Sequence, residues 1–280
     1  MKKSFIILII AVTVAAFAGL TYYGLKHTRG VPVIFEEREK PILEVPLMAK
    51  DLYLKNGIGL SIWDGIKPQK IELLYQVMII PWPKKVVPYV NIKAFHTGKD
   101  IYFYMEWEDS SRNYVMDIKK FSDAGAILFP LEKKPKMPSL MMGFLGKSNI
   151  WQWKASQDRE YWLGKTHHKD LYVDFYYPFE EEELFIVSKE IPKSGANDLM
   201  AIRVGTITPK DEQNIQGRGF WRDGTWRVVF KRSFRALDPE LDAIFEPSGK
   251  RLCAFAVWDG ENGDRGGRKS ISDWVELSIK

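Results

Sequence analysis

Cysteine is almost absent from the sequence: Cys253 is the only one among 280 residues. An intramolecular disulfide, a zinc ribbon, a cysteine-ligated iron–sulfur cluster and covalently attached c-type haem are therefore excluded. Only four histidines are present, which leaves little material for a multi-histidine metal site. The patterns HExxH, GxSxG and GxxxxGK[ST] are also missing, so the common hydrolase and nucleotide-binding motifs are not found. We expect Cys253 to be a buried small hydrophobe.

A strongly basic body is also absent, although the formal net charge is +5. Residues 1–30 contain four of the 41 bases and none of the 36 acids, which leaves 37 bases against 36 acids in the remainder. A charge-balanced body produces no broad field for binding phosphates. The sequence therefore predicts no nucleic-acid partner.

The N-terminus contains the one long uncharged run. Lys2 and Lys3 precede residues 4–25, which contain no charged side chain. The run is typical of a signal peptide, with a small-x-small cleavage site at residues 16–18. It is equally long enough for a hydrophobic helix that anchors the chain in a membrane. Both alternatives predict export of the rest of the chain, to the periplasm or the outer face of the cytoplasmic membrane, with residues 26–45 as a linker.

The remainder, residues 46–280, has mainly period-two patterning, which is typical of strands. Residues 90–94 and 101–107 alternate on either side of a turn and predict a hairpin. Residues 220–230 predict a second hairpin, because Asp223-Gly224 supplies the positive φ angles that a tight turn needs. Further strands are expected at residues 252–258 and 271–279.

This pattern predicts an all-β, mainly antiparallel β-sandwich with long loops and a few short helices. Aromatic residues make up 14% of the chain, which also favours strands. Weak helical candidates are residues 179–190, 209–214 and 238–245.

Two segments contain residues that are able to bind a cofactor or an anion. Met141-Met142-Gly143 precedes a tryptophan-rich segment, residues 149–155, and thioether sulfur is a soft ligand suited to haem iron. Methionine is also an ordinary core residue. A basic, glycine-rich segment, residues 264–272, is able to bind an anion through backbone amides and guanidinium groups, or to form a solvated loop.

The order of these segments resembles the ethylbenzene-dehydrogenase-type haem b-binding domain, the γ subunit of type II molybdenum enzymes of the DMSO reductase family. The resemblance covers roughly residues 60–280 and is poor over 156–200. It depends on the following segments: Trp63-Asp64, Pro68 to Ile71, Val90 to Ala94, Ile101 to Trp107 with Asp109, Asp123-Ala124, Phe129-Pro130, Met142-Gly143, Asn149 to Ala155, Gly205-Thr206, Gly217 to Phe230, Phe255 to Gly260 and Asp264 to Ser272.

The resemblance implies one non-covalent haem b with a methionine and a lysine as axial ligands. These ligands fall on Met142 and Lys269, and Met141 is the neighbouring alternative. A lysine binds iron only as the neutral amine, so its site must be desolvated enough for iron to displace the proton. Arg265 or Arg268 is expected near the haem propionates.

As function, the resemblance implies an exported, non-catalytic electron-transfer subunit. Its expected partners are the iron–sulfur and molybdenum subunits of an oxidoreductase complex, together with a c-type cytochrome or a quinone-linked membrane partner. With both axial positions filled, such a haem passes electrons and has no open position for substrate.

Two other functions stay open from sequence. A carbohydrate-binding-module-like sandwich that binds a glycan without haem would use exposed Trp and Tyr side chains. A glycosidase would use a carboxylate pair from Glu106, Glu108 and Asp109.

The remaining conspicuous side chains have structural interpretations. The tryptophans at positions 151, 153, 221, 226 and 258 are expected in the core or in pocket walls. His96 is expected in an exposed turn. His167-His168 and Glu180–Glu183 are expected on solvated surfaces.

Overall fold

The computed structural model describes residues 39–80, 82–117, 119–132, 139–164 and 192–280, with the Met142 side chain outside this set. The expected N-terminal helix, the helical candidate at 179–190, His167-His168 and Glu180–Glu183 lie outside the described residues. Within the described ranges, no helix combines the length and hydropathy needed to cross a membrane.

The described chain folds into two β-sheets with short helical segments between strands. The elements are β1 Ile42–Val45, a 3-10 turn at Leu54–Asn56, α1 Leu60–Trp63, β2 Gln69–Glu72, β3 Leu74–Tyr75, β4 Tyr89–His96, β5 Asp100–Glu108, β6 Ala124–Pro130, a 3-10 turn at Leu140–Met142, β7 Leu145–Lys154, α2 Ala155–Leu163, β8 Ala196–Arg203, β9 Thr208–Pro209, β10 Gln216–Arg222, β11 Thr225–Ser233, β12 Lys250–Trp258, β13 Ser270–Ile271 and β14 Val275–Ile279.

The larger sheet has the strand order β1-β14-β12-β6-β7-β8-β9, with β13 beside β12 and β3 beside β13. The smaller sheet has the order β10-β11-β5-β4-β2. Strands β1 and β14 pair in parallel, and the other pairs are antiparallel. The predicted all-β, mainly antiparallel architecture with few short helices is confirmed.

The core lies between the two sheets. Alternate residues of each sheet point inward, as period-two patterning requires. Phe103 of the smaller sheet meets Trp151 of the larger one edge to face, with ring centroids 5.7 Å apart. Both predicted hairpins are present, as β4–β5 and β10–β11, and Asp223 and Gly224 have φ angles of 53° and 71°.

Other predictions differ from the structure. Strand β1, Ile42–Val45, lies inside the segment expected to be linker. Residues 209–214 and 238–245 form no helix. The Asp242 carboxylate accepts the backbone N–H groups of Leu237 and Asp238, so side-chain bonds there replace helical ones. Helix α2, Ala155–Leu163, was not predicted.

The prediction of an exposed His96 is wrong. The His96 side chain is 2% exposed, because Lys280 and Phe234 contact its ring. Its Nε2 lies 2.8 Å from the Lys280 carbonyl oxygen, and its ring stacks on Phe234. Cys253 is fully buried, as expected.

Candidate cofactor site

A cleft lies on the outer face of the larger sheet. Strands β6, β7 and β12 are neighbours, with Ala126 opposite both Ala256 and Gln152. Residues that alternate with core-facing ones point into the cleft from these three strands. Its floor consists of Ala124, Ala126, Leu128, Ile150, Gln152, Lys154, Ala254, Ala256 and Trp258.

Small side chains give this floor its shape. Alanines occupy four of the six cleft-facing floor positions of the paired strands β6 and β12. Because a methyl group extends little above the sheet, a wide and shallow volume opens over the strands. The cleft contains about 1240 Å³ free of protein atoms, part of it open to solvent. A flat, apolar ligand matches this shape, since ligand sites are typically apolar with a few placed polar groups.

Loops form the walls. Met116 and Phe121 precede β6, and Val204 to Ile207 connect β8 to β9. Leu140 and Phe144 come from the segment around the second 3-10 turn. The segment between β12 and β13 contributes Asp264 to Gly267 and Lys269.

Lys269 is held at the rim by the strand that follows it. Ser270 begins β13, pairs with β12 and β3, and accepts the Val87 N–H at 2.9 Å. The Lys269 Nζ donates to Gln76 Oε1 at 3.2 Å and lies 5.2 Å from the Trp258 ring centroid. Burial lowers the pKa of Lys269 to about 8, and the nearby Asp264 opposes this shift. The site therefore makes the neutral amine accessible, which a metal ligand requires.

Met142 ends a single 3-10 turn, Leu140–Met142, in the cleft wall. Ser139 Oγ accepts the Met141 N–H at 3.4 Å, and Gly143 ends the turn with a φ of +87°, a conformation that favours glycine. Leu140 and Phe144, on either side of this pair of methionines, line the cleft. The Met142 side chain lies outside the described residues. Met141 is not among the described lining residues, and its carbonyl accepts the Val77 N–H.

The two candidate arginines differ in position. Arg265 lines the cleft, with its guanidinium 4.8 Å from the Phe121 ring centroid. Arg268 does not line the cleft within the described part of the chain. Its Nη2 donates to the Asn262 carbonyl and its Nε lies 3.6 Å from Asp264 Oδ1. Arg265 is therefore the arginine able to meet an anionic group of a ligand.

Gln76 was not singled out from the sequence. Its side chain is 2% exposed and lines the cleft. It reaches Lys269 because β3 pairs with β13 across nearly 200 residues of sequence. No local pattern carries this information, so only long-range pairing reveals the contact.

A buried carboxylate pair lies near one end of the segment between β12 and β13. Oxygen atoms of Asp109, Asp123 and Asp259 lie within 4.8 Å of one another. Asp123 accepts the Gly260 N–H at 2.8 Å and the Trp226 indole N–H at 2.9 Å, which fixes the end of β12. Burial, together with mutual repulsion of Asp109 and Asp123, raises the pKa of Asp123; burial likewise raises that of Asp109.

The proposed glycosidase carboxylates do not converge on the cleft. Glu106 forms an ion pair with Arg227 at 3.0 Å, and Glu108 accepts the Tyr89 hydroxyl at 3.1 Å. Neither glutamate nor Asp109 lines the cleft. The tryptophans behave as expected: Trp151, Trp153 and Trp226 are buried in the core, Trp221 packs against it and Trp258 lines the cleft.

Comparison with known families and proteins gives matches over most of the described domain. The family described as ethylbenzene dehydrogenase matches residues 60–270, a range that includes both Met142 and Lys269. The respiratory nitrate reductase heme subunit ORF7 of Haloferax mediterranei is 24% identical over 190 residues, which cover 67% of this chain and 55% of that protein. The chlorate reductase subunit gamma of Ideonella dechloratans is 25% identical over 187 residues, 66% of this chain and 62% of that protein.

A third relative matches over a longer span. The dimethylsulfide dehydrogenase subunit gamma of Rhodovulum sulfidophilum is 22% identical over 265 residues, which cover 88% of this chain and 83% of that protein. The chain thus spans less than two thirds of the first two relatives. Among solved structures, a protein of Bacteroides uniformis described as carbohydrate-binding aligns with a TM-score of 0.47 and 8% identity, over 86% of this chain and all of that chain.

Proposed function

The chain belongs to the ethylbenzene dehydrogenase family, and on that premise we propose that it is an exported haem b-binding electron-transfer subunit of an oxidoreductase complex. The observation that carries the proposal is the desolvated amine of Lys269 at the rim of an alanine-floored cleft. An exposed lysine has a pKa near 10.4, whereas burial lowers that of Lys269 to about 8, so iron would displace its proton at a smaller cost in free energy.

The residues present fit a haem. The alanine floor leaves room for a flat macrocycle, and the walls are largely apolar. Lys269 supplies a neutral nitrogen ligand, and Met142, in the cleft wall, supplies a thioether. Methionine as an axial ligand raises the reduction potential of haem iron.

Each residue has a defined task in this proposal. Lys269 and Met142 hold the iron, Gln76 orients the Lys269 amine, and Arg265 pairs with a propionate carboxylate. Trp258 and Phe144 exclude water from the faces of the ligand. When bound, haem b supplies one-electron transfer. If Lys269 and Met142 both bind the iron, no ligand position would be left for substrate, and the subunit would only relay electrons.

The electron partners follow from the family. We assign the iron–sulfur subunit of a molybdenum enzyme as one partner, and a c-type cytochrome or the quinone pool as the other. The relatives named as subunits of chlorate reductase and dimethylsulfide dehydrogenase support this assignment. Export follows from the uncharged run at residues 4–25, as a cleaved signal or a retained anchor.

Haem content tests the proposal. The full chain is expressed with ample haem, purified and analysed by a pyridine haemochrome assay. We expect one haem b per chain. A protein that stays colourless after haem reconstitution, and is retained on polysaccharide, would instead support the carbohydrate-binding alternative.

A further inference from the structure

An exposed apolar tip lies beside the cleft. In the loop after β3, the side chains of Met78, Ile80 and Trp82 are 58%, 76% and 53% exposed. Val77, which precedes Met78, and Ile79, between Met78 and Ile80, are partly buried. The three outward side chains, here called the apolar tip, occupy alternate positions of one short segment. Large apolar groups clustered on a surface in this way mark an interaction site.

The tip is held firmly in this outward position. The Val77 N–H donates to the Met141 carbonyl at 3.2 Å. The Trp82 indole N–H donates back to the Val77 carbonyl at 3.0 Å, which closes the loop on itself. Ile79 packs against Gly267, where a Cβ would come within 2.5 Å of the Ile79 side chain. The loop therefore presents the tip without further ordering on binding, which favours affinity.

Cations surround the tip. Lys84 and Lys85 follow directly and are exposed, and Arg265 is exposed on the neighbouring loop. The Asn262 amide donates to the Lys85 carbonyl at 2.8 Å, so the two loops are joined. Glu261, an exposed acid beside Asn262, accepts a hydrogen bond from the Asn113 amide.

We propose that the apolar tip inserts into the headgroup region of an anionic bilayer, with Lys84 and Lys85 against the lipid phosphates. Tryptophan and aliphatic side chains prefer the membrane interface, and each lysine near an anionic surface strengthens binding. A protein partner fits less well, since lysine is depleted at protein interfaces. The lipid contact is independent of haem; its consequence, a haem held at the membrane surface, rests on the proposed function.

A site-directed label tests the contact in the full chain. Ile80→Cys is labelled with an environment-sensitive fluorophore; the native Cys253 is fully buried and stays unlabelled. The matched control is Ile244→Cys, at a position that is 45% exposed. The Ile244 carbonyl accepts a hydrogen bond from Arg251, which lies near the end of β12 opposite to Trp258. Vesicles of phosphatidylcholine with phosphatidylglycerol carry a nitroxide on the acyl chain. Both variants contain residues 4–25, so tethering by that run affects them equally.

We expect the nitroxide to quench the label at position 80 several-fold more than the label at position 244. The difference should shrink in vesicles of phosphatidylcholine alone, and in Lys84→Glu combined with Lys85→Glu. Lys99→Glu with Lys147→Glu makes the same charge change at exposed positions elsewhere and should leave the difference intact. Equal quenching at both positions overturns the proposal. The proposal is also overturned if the label at position 80 is insensitive to vesicles and its fluorescence changes only when an iron–sulfur partner is added. Neither result depends on whether the chain binds haem.

Discussion

Gln76 and Lys269 lie 193 residues apart in the chain, yet Gln76 Oε1 accepts a hydrogen bond from Lys269 Nζ at 3.2 Å inside the cleft. The partner is a neutral amide, which orients the amine and stabilises its positive charge less than a carboxylate does. Together with burial, this arrangement keeps the amine accessible in its neutral form. The pairing of distant strands therefore brings Gln76 to the amine that we propose as an iron ligand.

Replacing Gln76 by leucine should weaken haem binding. The Lys269 amine loses the group that orients it, and loss of such a supporting hydrogen bond typically lowers metal affinity about 10- to 100-fold. Haem titration of the apo-protein, followed by visible absorbance, measures the change. Gln69→Leu on strand β2 is the matched control. Equal affinity in both variants would show that Gln76 does not position the ligand.

Filling the alanine floor should block haem uptake and leave the fold intact. Ala126→Leu adds a larger side chain at the cleft floor, where Ala126 is 3% exposed, so we expect the free energy of unfolding to fall by about 1 to 3 kcal/mol. Haem content per chain should fall sharply. Ala236→Leu, at a half-buried position outside the cleft, should bind haem normally. Full haem loading of the Ala126 variant would contradict the assignment of this floor.

Substitutions of Arg265 and Arg268 should differ in their effect on the haem midpoint potential. Removing the positive charge of Arg265, at the cleft, should lower the haem midpoint potential by tens of millivolts, because the oxidised, more positive iron is then destabilised less. Arg268→Gln should affect mainly the loop that Arg268 bonds to Asp264 and Asn262. A spectroelectrochemical titration compares the two variants. A larger shift in Arg268→Gln would reverse our assignment of the propionate partner.

The Asp109–Asp123 pair should make the fold less stable at high pH. Their raised pKa values mean that the folded state favours the protonated form, so stability is lost as pH rises from the unfolded value near 4 through the raised folded values. Asp109→Asn removes the repulsion and should raise the free energy of unfolding at pH 8 by about 1 to 3 kcal/mol. The increase in the free energy of unfolding should be small at pH 5.

Urea unfolding at pH 5 and pH 8 checks this expectation. Asp211→Asn is the control, because Asp211 is exposed. A variant that is less stable than the wild type at pH 8 would show that repulsion between these carboxylates does not govern the pH dependence.

Local patterns predicted the parts of the fold that local chemistry determines. The β4–β5 and β10–β11 hairpins follow from alternation and from the Asp223-Gly224 turn. Helix α2 was missed because only Ala155 and Gln157 of its nine residues are buried, so it has no apolar stripe. His96 was misplaced because the chain end that covers it is distant in sequence.

The candidate site likewise contains residues that the sequence indicated and residues that only long-range strand pairing brings in. The prediction of Lys269 and Met142 came from the resemblance to a family, and the structure places Lys269 in the lining of the cleft. Gln76 and the alanine floor depend on which strands pair, as in the β6–β12 and β3–β13 registers. Such pairings join segments more than a hundred residues apart, which periodicity within a segment does not encode.

The most direct measurement is the oxidised and dithionite-reduced visible spectrum of the full chain, compared with Met142→Ala and Lys269→Ala. The account predicts a six-coordinate, low-spin b-type spectrum in the wild type, and a shift toward five-coordinate, high-spin iron in each variant, because each loses one axial ligand. Arg268→Ala, outside the cleft, should keep the wild-type spectrum. A wild-type spectrum in both ligand variants would contradict the assignment of Met142 and Lys269 as the residues that hold the iron.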